Sequence, residues 1–227
     1  MTERLQKYIA AHSAYSRRKA EKLIQAGQVE INGQPVSKLG TVINPDQDKI
    51  KVAGQLLIPA KAYNYIALNK PIDFVCTRAR FRSEKSIYQL IPASGNLVIA
   101  GRLDKKSEGL VILTDDGDLV QKLTHPSFQH QKEYLTELDK PLTSDDLKML
   151  RRGIRLEEGL AKADKITCDK SNFIKITLHQ GWKRQIRRML EKIGYRVISL
   201  KRTRVGKYQI DKLLPGRYLE IKKNDII

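Results

Sequence analysis

Ala100-Gly101-Arg102-Leu103-Asp104-Lys105-Lys106-Ser107-Glu108-Gly109-Leu110 is the stretch on which the reading of this chain turns. It sets one acid, Asp104, between an arginine-glycine turn and a second glycine, with apolar residues on both sides. A carboxylate held in a tight, partly apolar turn beside a cation is how a protein prepares an acid for chemistry. The stretch runs into Val111-Ile112-Leu113, an apolar run of strand type, and then into the turn Thr114-Asp115-Asp116-Gly117. Asp115-Asp116 invites a metal reading, but an Asp-Asp-Gly sequence after a strand fits a turn better.

The charge balance narrows what that acid meets. Among 227 residues there are 43 Lys and Arg against 25 Asp and Glu, a formal net charge of +18. That excess calls for a polyanionic partner, with nucleic acid the first candidate and an anionic membrane the second. The membrane is the weaker of the two, because no apolar run approaches a bilayer's thickness. The N-terminus is polar from Thr2 to Lys7, without a secretory apolar region. Cys76 and Cys168 are far apart and the four histidines are scattered. We therefore expect a reducing, cytoplasmic setting, with neither a disulfide framework nor a metal site.

Residues 1–58 read as a small unit of two helices on a small sheet. Leu5, Tyr8 and Ile9 share one helical face, Ser16 suits the N-cap of a second helix bearing Ala20, Leu23 and Ile24, and Gly27 stops it. Val29-Glu30-Ile31 alternates as a strand before the hairpin signal Asn32-Gly33, and Ile50-Lys51-Val52 before Gly54 gives another strand. Residues 59–62 read as a linker, and a larger unit fills 63–227. There we expect strands at 65–68, 97–100, 110–113, 133–138, 173–178 and 217–221, and helices at 117–123, 143–150 and 183–193. Strands outnumber helices and short turns join them, so the expected class is α+β, on a mixed, mostly antiparallel sheet.

The cations gather in two places. Residues 181–227 hold 14 Lys and Arg against four acids, with Lys183, Arg184, Arg187 and Arg188 expected on one helix. Lys201, Arg202, Arg204 and Lys207 follow in an extended stretch. The N-terminal unit adds Arg4, Lys7, Arg17, Arg18 and Lys19, and the start of a helix at Ser16 flanked by arginines is a ready phosphate site. Two basic surfaces on two units suit a long, folded polyanion.

Two resemblances follow from these residues. Arg4-Leu5-Gln6-Lys7-Tyr8, Ser16-Arg17-Arg18-Lys19-Ala20-Glu21-Lys22-Leu23-Ile24 and Gly27-Gln28-Val29-Glu30-Ile31-Asn32-Gly33 together resemble the small alpha-L, or S4-type, RNA-binding domain. That resemblance implies RNA contacts by Arg4, Lys7, Ser16, Arg17, Arg18 and Lys19. Downstream, Asn69-Lys70-Pro71, Gly101-Arg102-Leu103-Asp104, Lys132-Glu133-Tyr134, Gln180-Gly181-Trp182-Lys183-Arg184-Gln185-Ile186-Arg187-Arg188 and then Leu200, Arg202 and Gly206 stand in order over residues 65–221. This set resembles the bacterial ribosomal RNA pseudouridine synthases that recognise small hairpins.

The second resemblance implies an isomerase that detaches the base of a uridine, turns it and rejoins it through carbon, without metal or cofactor. It makes Asp104 the catalytic aspartate, attacking at the sugar carbon or at the base. It implies that Tyr134 stacks on the extruded uracil and assists loss of the C5 proton. Arg187 pairs with Asp104, Ile186 lines the base pocket and Arg102 touches the RNA that the target base has left. Lys70, Lys183 and Arg184 are further substrate contacts, with Lys70 open between RNA and a purely structural task. Arg102-Leu103-Asp104-Lys105 and Gln180-Gly181 lean toward a 23S target. A 16S target and a non-catalytic ribosome-assembly protein are the alternatives, and the expected state is a monomer on a large RNA. Two departures stand out: Asp73 occupies a place where glycine commonly follows Lys-Pro, and Ser107 one where threonine is frequent.

Overall fold

A computed structural model describes residues 2–45, 47–58, 63–79, 83–92, 95–168 and 172–227. The chain divides into two compact units, Met1–Tyr63 and Asn64–Ile227. The expected linker at 59–62 lies outside the described residues.

In the first unit, β1 (Glu3–Arg4) leads into α1 (Leu5–Ala11) and α2 (Arg17–Gln25). The strands β2 (Val29–Ile31), β3 (Gln34–Pro35), β4 (Val42–Ile43), β5 (Ile50–Val52) and β6 (Gln55–Leu56) follow. Ser16 caps α2, its Oγ accepting from the Lys19 N–H at 3.2 Å. Gly27, at φ 68, supplies the left-handed residue past its end. Both helices bury one face, Leu5, Tyr8 and Ile9 from α1 and Ala20, Leu23 and Ile24 from α2, against Val29, Ile50 and Val52 of the antiparallel order β3-β2-β5-β6. Arg4 is paired in β1 with Val42 rather than lying on the first helix.

The second unit opens with β7 (Tyr65–Lys70), β8 (Phe74–Val75), β9 (Lys85–Ser86), β10 (Val98–Ala100) and β11 (Glu108–Thr114). Then come α3 (Gly117–Thr124), β12 (Lys132–Leu138), α4 (Ser144–Arg152), β13 (Ile154–Leu156), β14 (Gly159–Ala161), β15 (Lys165–Cys168) and β16 (Phe173–Leu178). It closes with α5 (Gln185–Lys192), β17 (Val197–Val205), β18 (Tyr208–Gln209), β19 (Tyr218–Glu220) and α6 (Lys223–Ile226). Among the described residues a nine-stranded sheet runs β15-β16-β12-β17-β11-β7-β19, with β10 on β11 and β18 on β17. It is antiparallel except between β17 and β11, as the α+β reading expects.

That parallel seam is short. It holds two register pairs, Glu108 with Lys201 and Gly109 with Arg202. On one side β15, β16, β12 and β17 bury Ile166, Ile174, Ile176 and Leu200 against Met189 and Leu190 of α5. On the other, β7 and β11 are buried almost throughout, between a cluster containing Leu68, Leu103 and Val111 and one containing Leu110, Leu119 and Ile226. Tyr134 packs against the clusters of both sides, those of Ile176 and of Leu103.

Asp115 and Asp116 both bond within the fold. Asp115 accepts from the Asn64 backbone N–H and side-chain amide at 2.7 and 3.0 Å. Asp116 caps α3 through Asp118 and Leu119, and its other oxygen meets Tyr65 and Lys223.

In this unit the sequence reading does not name the hairpin of β13 and β14 or the short elements β8, β9, β15, β18 and α6, and the run of cations disguised β17 as an extended basic stretch. The helix expected at 183–193 begins only at Gln185, so Lys183 and Arg184 precede it.

Candidate active site around Asp104

The loop between β10 and β11 carries Asp104, and three buried cations from three different elements hold its backbone. From β17, Arg202 donates through Nε to the Leu110 carbonyl at 2.7 Å and through Nη2 to the Gly101 carbonyl at 2.7 Å. Its Nη1 makes a longer bond of 3.5 Å to the Arg102 carbonyl. From the end of β7, the Lys70 ammonium donates to the carbonyls of Pro71, Lys105 and Ser107 at 2.9, 3.3 and 2.5 Å. From α5, Arg187 donates to the Lys106 carbonyl at 2.9 Å and to the Val197 carbonyl at 3.1 Å. The Leu103 N–H points to Cys76 Sγ at 3.4 Å, and the Ser107 N–H returns to the Asp104 carbonyl at 3.1 Å.

This anchoring bears on two readings. Lys70, left open by the sequence between RNA and a structural task, has no exposed surface and bonds the loop. Arg202, grouped in the sequence with the basic surface, is 1% exposed and belongs to the interior. Burial lowers the pKa of Lys70, and negative charge around it, Asp104 included, opposes that shift.

The expected ion pair between Arg187 and Asp104 is absent from this structure. The guanidinium is 7% exposed and directed at backbone carbonyls, and its Nε is buried without a partner. Its pKa is lowered by burial first and by Arg184 second, with Asp104 pulling the other way, so the two groups act on each other through space. The Asp104 carboxylate is half-buried and has no hydrogen bond or ion pair among the described residues. A loop with five anchored carbonyls thus carries an acid whose oxygens are unengaged.

The other expected residues fall into two groups. Tyr134 is half-buried on β12, opposite Ile176 on one side and Arg202 on the other. Ile186 is 4% exposed and lies in the core with Leu178 and Met189, behind the surface. Arg102, Lys183 and Arg184 are exposed. Arg184 stands at φ 52 before α5 and approaches Glu191 at 3.8 Å, while Arg188 is engaged by both oxygens of Glu158. Trp182 packs against the core and faces Gly159.

Beside Asp104 an open depression of about 460 Å³ is lined by Lys105, Lys106, Ile72, Asp73, Phe74 and Lys85, with Ser83. Asp73 adopts the left-handed conformation a glycine takes freely, at φ 68. It is tied there by its N–H to the Lys105 carbonyl at 2.9 Å and by an ion pair with Lys106 at 2.8 Å. Ser107, the other departure, is buried with its Oγ unpartnered.

In the N-terminal unit, Arg4, Ser16, Arg17, Arg18 and Lys19 are exposed. Arg4 reaches the Gly40 carbonyl at 3.2 Å and Lys7 approaches Glu3 at 3.7 Å. Ser16 uses its hydroxyl as the cap of α2.

Comparison with known proteins agrees with both units. The family profile described as RNA pseudouridylate synthase matches residues 64–192, and that of the S4 domain matches residues 3–49. An RNA pseudouridine synthase of Aquifex aeolicus is 37% identical, covering 100% of this chain and 93% of its own length. The dual-specificity RNA pseudouridine synthase RluF of Escherichia coli K12 is 36% identical, over 99% of this chain and 77% of its own. A crystal structure of a pseudouridylate synthase superposes with a TM-score of 0.71 at 32% identity, covering 98% of this chain and 97% of the other.

Proposed function

The chain belongs to the RNA pseudouridylate synthases and carries an S4 domain ahead of the catalytic one, and on that premise we propose that Asp104 isomerises a uridine of ribosomal RNA, in the 23S molecule, to pseudouridine. In that reaction the bond from uracil N1 to the ribose breaks and a bond from C5 to the same carbon forms. The proton lost from C5 is balanced by one gained at N1, so no redox partner enters.

The observation that carries this reading is the state of Asp104. Its backbone neighbours at positions 101, 102, 105, 106 and 107 are held by buried cations, while its carboxylate has no hydrogen-bond donor among the described residues. A nucleophile needs that combination of a fixed position and an unengaged pair of electrons. Lys70 and Arg187 bring positive charge within electrostatic reach of the Asp104 carboxylate. Tyr134 offers a half-exposed ring to a base extruded from structured RNA, and its hydroxyl is suited to take part in moving the C5 proton.

Arg102, two residues before the aspartate, and Lys183 and Arg184 ahead of α5 meet the RNA around the vacated position. Ile186 backs the surface on which the base lies. Arg4, Lys7, Ser16, Arg17, Arg18 and Lys19 grip phosphates with the S4 unit, and the enzyme works as a cytoplasmic monomer.

The test is Asp104→Asn, incubated with 23S and 16S transcripts followed by pseudouridine mapping. The variant binds RNA as the parent does and forms no pseudouridine. Turnover by the pure variant overturns the role of Asp104, and modification of the 16S transcript alone overturns the 23S assignment.

A further inference from the structure

Among the described residues Arg202 is the largest side chain buried to below 2% exposure, and no carboxylate there pairs with it. Burying an unpaired guanidinium is costly unless its donors are satisfied. Here they are satisfied by two carbonyls of the Asp104 loop, Gly101 and Arg102, and by that of Leu110 in β11. One planar fork therefore ties the start of the loop to the strand that follows it.

The backbone of the same residue joins the two parts of the sheet. Its Cα is the register partner of Tyr134 across β12 and of Gly109 across β11. With two register pairs in the seam, the ladder alone fixes the relation between the sides weakly. The β12 register also shifts between Glu133 and Tyr134, an irregularity at the residue that faces Arg202. Arg202 alone among the three anchoring cations thus pairs with the strand of Tyr134 while its side chain bonds the loop of Asp104.

We infer that Arg202 is a positioning residue for the isomerisation, setting the Asp104 loop against the strand that carries Tyr134. It has no surface through which to touch RNA, so it acts through the loop and not on the substrate. Lysine cannot replace it fully, because an ammonium lacks the flat fork that spans carbonyls 101, 102 and 110. This inference rests on Asp104 being the nucleophile.

Arg202→Met and Arg202→Lys, made in the full chain, test it against a 23S transcript, with Asp104→Asn as reference. A misplacement of about 1 Å at a reacting group costs on the order of 100-fold, so Arg202→Met lowers kcat by about that factor. KM and RNA affinity stay within roughly twofold, since uniform binding is untouched. Arg202→Lys, which restores a cation and part of the bonding, recovers part of the loss at an unfolding temperature close to the parent's. Wild-type kcat in folded Arg202→Lys or Arg202→Met, with Asp104→Asn inactive, overturns the positioning role and leaves the nucleophile standing. A loss confined to KM overturns it as well, as does a poorly folded Arg202→Met beside a fully active Arg202→Lys. Turnover by Asp104→Asn brings down the reading of Asp104 itself, and the inference with it.

Discussion

Gly109 and Arg202 face each other across the parallel seam so closely that a Cβ on Gly109 would collide with the Arg202 carbonyl oxygen and stand 2.7 Å from its nitrogen. Gly109 also lies at φ 102, outside the range of L side chains. Alanine there must push β17 away from β11, and with it the fork that holds the catalytic loop. Gly109→Ala is expected to destabilise the catalytic unit by about 3 kcal/mol or more. Denaturant unfolding measures it, and a loss under about 1 kcal/mol would show that the strands part easily.

Tyr134 gives a cleaner separation of chemistry from packing. Its ring contacts both core clusters, whereas its hydroxyl has no hydrogen bond among the described residues. Tyr134→Phe therefore keeps stability and RNA affinity near the parent's. If the hydroxyl helps to move the C5 proton, single-turnover isomerisation slows by about 100-fold or more. An unchanged single-turnover rate assigns the ring to stacking alone.

How far the sequence discloses the site depends on the kind of signal each residue leaves. Asp104 sits in a turn bounded by glycines and leads into an apolar strand, and Ser16 precedes an amphipathic helix; local patterns of that sort are readable. Arg202 leaves no such mark. Lys201, Arg202 and Arg204 look like a basic face, and nothing local says that one of the three turns inward to bond carbonyls a hundred residues earlier. The available hint is phase: Arg202 lies two positions beyond Leu200 in a run flanked by Val197 and Val205, on the inward side of a strand. Lys70 is hidden in the same way at the end of a buried strand. The resemblance implies an Asp104–Arg187 ion pair, but the carbonyls of Lys106 and Val197 lie within reach of the guanidinium and take it. The pairing of β17 with β11 is nonlocal, and strands of three residues such as β13 and β14 are too short to show periodicity.

Lys132 predicts a pH effect on stability. It is buried beside Arg202, and burial together with that neighbouring charge pushes its pKa down to about 8. The unfolded chain, with an ordinary lysine near about 10.4, binds more protons between those values, so stability rises as pH increases through that window. Lys132→Met removes the buried charge while keeping the stem's volume. It is expected to raise stability at neutral pH by about 1–3 kcal/mol and to flatten the rise at alkaline pH. Denaturant melts at pH 7 and 9.5 measure both, and parallel curves for parent and variant would sink the idea.

Asp116 works in the opposite sense. Its carboxylate caps α3 through the Asp118 and Leu119 N–H groups, accepts from Tyr65 at 3.0 Å and meets Lys223 of α6 at 2.7 Å. Burial raises its pKa, but these donors outweigh burial and the net shift is downward. The stability it contributes is therefore present above the ordinary carboxylate value of about 4 and lost as pH falls through the lower folded value. Asp116→Asn is expected to cost about 2 kcal/mol at pH 7 and much less at low pH. Unfolding followed from pH 7 to 3 checks this; an equal cost at both ends would mean that the charge plays no part.

The start of α2 allows phosphate binding to be separated from catalysis. Arg17, Arg18 and Lys19 are exposed there, with no hydrogen bond or ion pair to their side chains among the described residues, and Ser16 satisfies the Lys19 N–H of the first turn. On the proposed reading, the remaining first-turn N–H groups and the three cations meet RNA phosphates. Each phosphate contact removed lowers the slope of log affinity against log salt by about 0.7–0.9, so replacing all three residues by alanine should flatten it by about 2. Because these side chains stand on the S4 unit and not on the catalytic loop, kcat at saturating RNA stays near the parent's while KM rises. An unchanged salt slope would refute phosphate binding at this helix, and a fall in kcat at saturation would show that the S4 unit also shapes the chemistry.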